Sequence, residues 1–176
     1  SPDPRKTLSW AIREANRRVQ EEGNRVTPRQ ILAATLTVLY VLEEEFHVAH
    51  VGDSRVYLLR QERLAQITRD HSVAFDQYWQ GAITKDDLRT HPNQNVLTRT
   101  LGTNDFVVPD FTDGRIESGD RFLLCSDGLT KEVSDADIRE ILLAESTPTT
   151  ACRTLVNTAN EAGGRDNTTV LVVHVT

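Results

Sequence analysis

The sequence has no methionine, only two cysteines, few aromatic residues and no long uninterrupted apolar run. A chain that opens at Ser1 without methionine predicts a processed or trimmed product. The longest apolar stretch, residues 31–42, is interrupted by Thr35 and Thr37 and is shorter than the roughly twenty residues of a membrane span. We therefore expect a soluble, cytoplasmic protein with no membrane partner and no leader at its start.

Acidic residues outnumber basic ones, which gives a formal net charge of -6, and lysine and arginine form no dense cluster. This charge balance argues against nucleic acid as a partner, because proteins that bind nucleic acid usually carry a stripe of basic residues. Cys125 and Cys152 each lie within an apolar segment, which favours two reduced core thiols, with a single disulfide between them as the alternative. The length of 176 residues predicts one domain over residues 1–176.

Apolar spacing in the first half of the chain predicts one long helix followed by closely spaced strands. Residues 8–19 show helical periodicity that ends near Gly23. Strands are expected over 31–42 and 46–51, and a hairpin pairs 56–59 with 64–67 around Gln61-Glu62. Four strands with short connections indicate antiparallel pairing. Residues 69–95 are predicted to form a surface excursion with short helices over 71–79 and 84–89.

The second half predicts further strands and then two helices. Weak strand patterns cover 96–98 and 106–111, a strong one covers 122–125, and the last covers 169–175. Helices are expected after the N-cap Ser134 and after Thr147, which precedes a proline. In the second of these helices, one apolar stripe is predicted, formed by Ala151, Leu155 and Ala159. Helices segregated from antiparallel strands indicate an α+β domain, with stacked sheets and helices outside.

Three aspartate motifs each stand where an apolar strand meets a turn: Gly52-Asp53-Ser54-Arg55, Ser126-Asp127-Gly128 and Arg165-Asp166-Asn167. Singly, such dipeptides are ordinary turn formers. Three carboxylates delivered by strand ends instead favour a site for a hard ion, Mg²⁺ or Mn²⁺. Three aspartates are too few to hold a pair of divalent ions, so the chain carries about half of such a site.

Five motifs occur in an informative order: HVAHVGDSRVYLLR (47–60), TRDHS (68–72), LTRTLG (97–102), GDRFLLCSDGLT (119–130) and GGRDNTT (163–169). Together they closely resemble the metal-dependent protein phosphatase family, the type 2C serine/threonine phosphatases, in its bacterial form. The resemblance implies a β-sandwich of two antiparallel sheets flanked by helices, a four-layer αββα arrangement. It also implies hydrolysis of phosphoserine or phosphothreonine in proteins phosphorylated by serine/threonine kinases.

The same resemblance implies the chemistry of the site. Two Mn²⁺ or Mg²⁺ ions activate a water, so no protein nucleophile is needed. Asp127 and Asp166 are expected to bind one ion of this pair, while Asp53 and Asp127 are expected to bind an accessory third ion. Residues 69–95 are similar in position to the flap beside the active site. The residues that contact substrate stay unknown.

The chain departs from the family at its beginning. The family's Glu-Asp pair and Asp-Gly-Met-Gly-Gly stretch, which supply the carboxylate that bridges the two metal ions, are absent. In place of the family's Gly-Met-Gly-Thr-Thr, this chain has Leu32-Ala33-Ala34-Thr35. The favoured explanation is an active phosphatase whose N-terminal strands are missing from this sequence. The alternative is a non-catalytic pseudophosphatase or phosphoprotein-binding module. Without its first strands, the sheet would have unpaired edges. We therefore expect this chain either to self-associate or to bind the missing segment as a separate chain.

Other polar residues near the motifs have simpler interpretations. His71 is expected to make structural hydrogen bonds, and His47 and His50 face opposite sides of a strand, so they cannot form a ligand pair. Arg55 and Arg165 either bind phosphate or balance carboxylate charge, and charge balance is favoured. Cys125 is assigned to the core, because a cysteine phosphatase loop would need arginine where this chain has Lys131.

Overall fold

The structure, a computed structural model, describes residues 3–26 and 31–176. The described residues form two compact units. The first lies within Ser1–Leu42, Phe46–Asp53 and Arg69–Gly114, and the second comprises Glu43–Glu45, Ser54–Thr68 and Arg115–Thr176.

The elements follow one another in a mixed order of helices and strands. In chain order they are α1 (Pro4–Val26), β1 (Leu36–Leu42), β2 (Glu45–Val51), β3 (Arg55–Arg60), β4 (Arg63–Gln66), α2 (Val73–Trp79), a 3₁₀ turn (Asp86–Arg89), β5 (Asp110–Arg115), β6 (Arg121–Cys125), α3 (Asp127–Glu132), α4 (Asp135–Ala144), α5 (Pro148–Glu161) and β7 (Val170–His174).

The first unit is built on α1 and a three-stranded sheet in the order β1-β2-β5. Leu8 and Ile12, one turn apart on α1, are buried against Ala49 and Val51 of the central strand β2. The predicted helix is confirmed, although it continues past Gly23 to Val26. Burial of this helical face against the sheet forms the core of the unit.

The prediction of a long strand over residues 31–42 is wrong for its first five residues. The strand begins only at Leu36, and Ile31 is 75% exposed. Residue Ala34 makes an isolated bridge with Leu101. Strand β1 lies at the edge of its sheet, and its residue Val41 is exposed. An apolar run does not itself supply the partner strand that a sheet requires.

The excursion over residues 69–95 has the two short helical pieces that were predicted, α2 and the 3₁₀ turn. Its beginning is not on the surface, however, since His71 is 3% exposed and Ala74 is buried. The weak strand at 96–98 is reduced to one bridge between Ser72 and Leu97. The strand predicted at 106–111 starts at Asp110, and Phe106 is exposed.

The second unit contains a four-stranded sheet in the order β4-β3-β6-β7, and each neighbouring pair is antiparallel. The β3–β4 hairpin is confirmed, with its two turn residues Gln61 and Glu62 at φ 48° and 63°. Two consecutive positive φ values give the twist that suits a two-residue hairpin. The four strands β1 to β4 are nevertheless divided between two sheets, which the short connections did not predict.

Helices α3, α4 and α5 complete the second unit. The Ser134 hydroxyl accepts a hydrogen bond from the Asp137 N–H, and the Thr147 hydroxyl accepts one from the Thr150 N–H, which confirms both predicted N-caps. Along α5, three fully buried residues form the predicted stripe: Ala151, Leu155 and Ala159. Helix α3 was not predicted, because its first residues were interpreted as a turn.

The predicted α+β class is confirmed by these separate helices and antiparallel strands. Cys125 and Cys152 are thiols, the first buried in the core of the second unit and the second half-buried beside it. Along the described chain, no helix has the length and apolar character needed to cross a membrane.

Candidate metal centre

The pairing of β6 with β7 brings two of the aspartate motifs to the same end of one sheet. Cys125, the last residue of β6, lies opposite Val170, the first residue of β7. Asp127 follows β6 by two residues and Asp166 precedes β7 by four. The antiparallel register therefore places both carboxylates at the same sheet end, although they are far apart in the sequence.

Hydrogen bonds from Ser126 fix the two connecting segments against each other. The Ser126 N–H donates to the Thr169 carbonyl at 3.0 Å, and the Thr169 N–H donates to the Ser126 Oγ at 3.0 Å. The Ser126 hydroxyl also donates to the Asn167 carbonyl at 3.2 Å. A Cβ added at Gly128 would lie 2.4 Å from that carbonyl oxygen, so only glycine permits this close approach.

Asp127 and Asp166 converge on the ammonium group of Lys131. The Lys131 Nζ lies 2.5 Å from the Asp127 Oδ2 and 2.9 Å from the Asp166 Oδ2. Asp127 is the first residue of α3 and Lys131 lies one helical turn later, on the same helix face. The second Asp166 oxygen accepts a hydrogen bond from the Asn167 N–H at 2.8 Å. Two carboxylates thus share a single cation.

The contact between Lys131 and Asp166 shifts the pKa of both groups in the direction that favours their charged forms. Burial alone would lower the pKa of Lys131, but the hydrogen bonds that its ammonium group donates to Asp127 and Asp166 outweigh burial and raise that pKa. The hydrogen bond from Lys131 lowers the pKa of Asp166. The side chains of Asp127 and Asp166 are 32% and 44% exposed, so both carboxylates are accessible to an ion from solvent.

Asp53, the third predicted ligand, belongs to the first unit and follows β2. The preceding residue, Gly52, has φ 115°, and a Cβ added to it would lie 2.3 Å from the Thr35 Cγ2. The Gly52 N–H donates to the His71 Nδ1 at 3.1 Å, and the His71 N–H donates to the Gly52 carbonyl at 2.7 Å. His71 therefore fixes the backbone that carries Asp53.

Asp110 and Arg99 hold the His71 ring in place. Because the His71 Nδ1 accepts from Gly52, the ring proton is on Nε2, 3.1 Å from the Asp110 Oδ2. Arg99 donates to the other oxygen of Asp110 at 2.5 Å. Burial, opposed by the Asp110 hydrogen bond, lowers the pKa of His71. The predicted hydrogen-bonding role of His71 is confirmed by these contacts.

The residues present fit part of a site for a hard cation. Asp127 and Asp166 supply carboxylate oxygens that already converge on a positive charge, which is the donor chemistry that Mg²⁺ and Mn²⁺ prefer. Within residues 3–26 and 31–176, no three His, Cys, Asp or Glu side chains form a group that could hold a metal ion. The three-aspartate ligand set therefore stays a prediction.

Lys131, which was not predicted from the sequence to belong to the site, balances the charge of Asp127 and Asp166. Arg165 pairs with Glu132, at 2.8 Å, and Arg55 donates to the Tyr57 hydroxyl at 3.0 Å. Lys131 is the residue that pairs with Asp127 and Asp166. The spacing of four residues from Asp127 to Lys131 is a helical ion-pair signal, but it is informative only if a helix is predicted there.

Comparison with known proteins identifies the class to which this fold and site belong. The family model described as protein phosphatase 2C matches residues 2–164, and the chain belongs to this family. The chain is 40% identical over 142 residues to protein phosphatase PhpP of Streptococcus pneumoniae, which covers 81% of this chain and 58% of that protein. The chain thus spans somewhat over half the length of this relative.

Solved structures show the same likeness. The serine/threonine phosphatase PstP/Ppp of Mycobacterium tuberculosis aligns with a TM-score of 0.89 and 33% identity, over 96% of this chain and 71% of that one. A catalytic domain of the serine/threonine phosphatase PstP, in complex with two manganese ions, aligns with a TM-score of 0.87 and 32% identity over 98% of this chain and 71% of that one.

Proposed function

We propose that this chain is part of a metal-dependent protein phosphatase that hydrolyses phosphoserine or phosphothreonine in protein substrates. The observation that carries the proposal is the convergence of Asp127 and Asp166 on one cation at the end of the β6–β7 pair. Family membership supports the reaction class, and the manganese-bound PstP domain supports Mn²⁺ as one suitable ion.

In this proposal, Asp127 and Asp166 hold one divalent ion and Asp53 contributes to an accessory ion. When bound, such ions lower the pKa of a water molecule and neutralise charge on the phosphoryl group. The chain's own contribution is to hold the carboxylates rigidly, through Ser126 and the close approach at Gly128. The pair of catalytic ions, the accessory ion and the flap role of residues 69–95 rest on the family resemblance.

A purified protein that contains this chain tests the proposal with a phosphothreonine peptide and Mn²⁺. Release of phosphate is expected to require Mn²⁺ and to fall at least a hundredfold in Asp127→Asn, because the variant loses a charged metal ligand. Asp105→Asn is the matched control, since Asp105 is an exposed aspartate outside the centre. Hydrolysis that is equal in Asp127→Asn and the control contradicts the proposal.

The second candidate is a non-catalytic phosphoprotein-binding module. It is favoured by one observation: the described part of the chain has no group of three ligand side chains around a common point. A well-folded protein that binds the phosphothreonine peptide, and does not hydrolyse it with Mn²⁺, supports this alternative. Family membership and the accessible carboxylate pair lead us to prefer the enzyme.

A further inference from the structure

The Lys131 ammonium group contacts both of the carboxylates that are proposed to hold a metal ion. Its Nζ contacts the Asp127 Oδ2 at 2.5 Å and the Asp166 Oδ2 at 2.9 Å, so these oxygens are no more than 5.4 Å apart, the sum of the two distances. A divalent ion bound to both at about 2.1 Å would need them within about 4.2 Å of each other. The ammonium group and the ion cannot both occupy the space between these two oxygens.

The position of the ammonium group is determined by the fold. Lys131 and Asp127 lie one turn apart on α3, and the Asp166 segment is held against this helix by the hydrogen bonds of Ser126. The Lys131 side chain is 28% exposed, so part of its length is packed against the protein. Its contact with both carboxylates is therefore not that of a freely moving surface lysine.

We propose that Lys131 is an affinity-determining residue of the metal centre, which competes with the divalent ion for Asp127 and Asp166. This inference rests on the proposed function, because it assumes that the two aspartates are metal ligands. Binding of an ion then requires the ammonium group to leave both carboxylates. The cost of breaking two partly exposed ion pairs corresponds to roughly a tenfold weaker metal affinity.

A Mn²⁺ titration of the purified protein that contains this chain, followed by the electron paramagnetic resonance signal of free Mn²⁺, tests the proposal. Lys131→Met is expected to bind Mn²⁺ about tenfold more tightly than wild type, and Lys131→Arg is expected to remain near wild type because it keeps the charge. Lys6→Met, which removes one charge from α1, is the matched control and should not change the affinity. Equal or weaker binding by Lys131→Met, or no Mn²⁺ binding by any variant, overturns the proposal.

A second measurement needs no substitution in the protein under test. In wild-type protein labelled with ¹³C-lysine, the ε-methylene resonance of Lys131 should shift as Mg²⁺ saturates the site, because the ammonium group leaves the carboxylates. An unchanged resonance at saturation overturns the proposal even if Lys131→Met fails to fold. Neither Mn²⁺ affinity nor the lysine resonance depends on hydrolysis. A protein that fails to release phosphate can therefore still show competition between Lys131 and the ion, and the two proposals can fail separately.

Discussion

Acidification should destabilise the first unit through one buried histidine, His50. Its side chain is 1% exposed, its Nδ1 is hydrogen-bonded to the Thr37 hydroxyl at 2.9 Å, and its Nε2 has no hydrogen-bond partner within the described chain. The ring of His71 lies 4.8 Å away, centroid to centroid. Burial, followed by the charge of His71, lowers the pKa of His50 from 6.5 to about 4, against the opposing effect of Asp70 and Asp110.

The sign of the effect follows from proton uptake. The unfolded chain protonates His50 near pH 6.5, whereas the folded chain does so only near pH 4. The free energy of unfolding should therefore be unaffected by His50 above about pH 7 and fall as the pH drops from 6.5 towards 4. At about 1.4 kcal/mol per pH unit, the total loss is roughly 3 kcal/mol, most of it reached by pH 4.5.

Urea unfolding at pH 7.5, 6.5, 5.5 and 4.5 measures this loss. His50→Gln removes the titrating group, so its free energy of unfolding should decline with pH by roughly 2–3 kcal/mol less than that of the wild type. His91→Gln, in the loop after the 3₁₀ turn, serves as the matched control and should keep the wild-type slope. If wild type and His50→Gln lose equal stability between pH 7.5 and 4.5, burial of a neutral His50 is refuted.

Two further substitutions should lower stability, as measured by urea unfolding at pH 7.5. Asp120 is 1% exposed and accepts two hydrogen bonds from Arg60, at 2.7 and 2.6 Å. Asp120→Asn should therefore lower the free energy of unfolding by roughly 3 kcal/mol, and a loss below about 1 kcal/mol would contradict a stabilising role of this ion pair. Gly52→Ala should lower the free energy of unfolding by more than about 2 kcal/mol, because the added methyl group would collide with Thr35. Gly81→Ala is the control: its φ is 75° and the space around the added Cβ is open, so the loss should be only about 1 kcal/mol. Equal losses in the two variants would show that Gly52→Ala causes no collision.

Features that depend on local chemistry were predictable from the sequence. The hairpin around Gln61-Glu62 and the N-caps Ser134 and Thr147 were found because a few neighbouring residues determine them. The buried stripe of α5 was found because helical periodicity reports its face directly. The motif order also indicated the family, which the match over residues 2–164 confirms.

Features that depend on distant partners were not predictable in the same way. Residues 31–34 and Phe106 are apolar, yet no strand forms there, because pairing needs a neighbouring strand that composition does not reveal. Helix α3 is only six residues long, and its start at Asp127 has the local appearance of a turn. The contact between Lys131 and Asp166 spans 35 residues, so only the β6–β7 register creates it.

An anomalous difference map from crystals grown with Mn²⁺ would show whether Asp127 and Asp166 bind a divalent ion. We expect a manganese peak about 2.1 Å from a carboxylate oxygen of each aspartate, with the Lys131 ammonium group moved away from both. If manganese binds elsewhere and Lys131 still bridges Asp127 and Asp166, the proposed metal site is wrong.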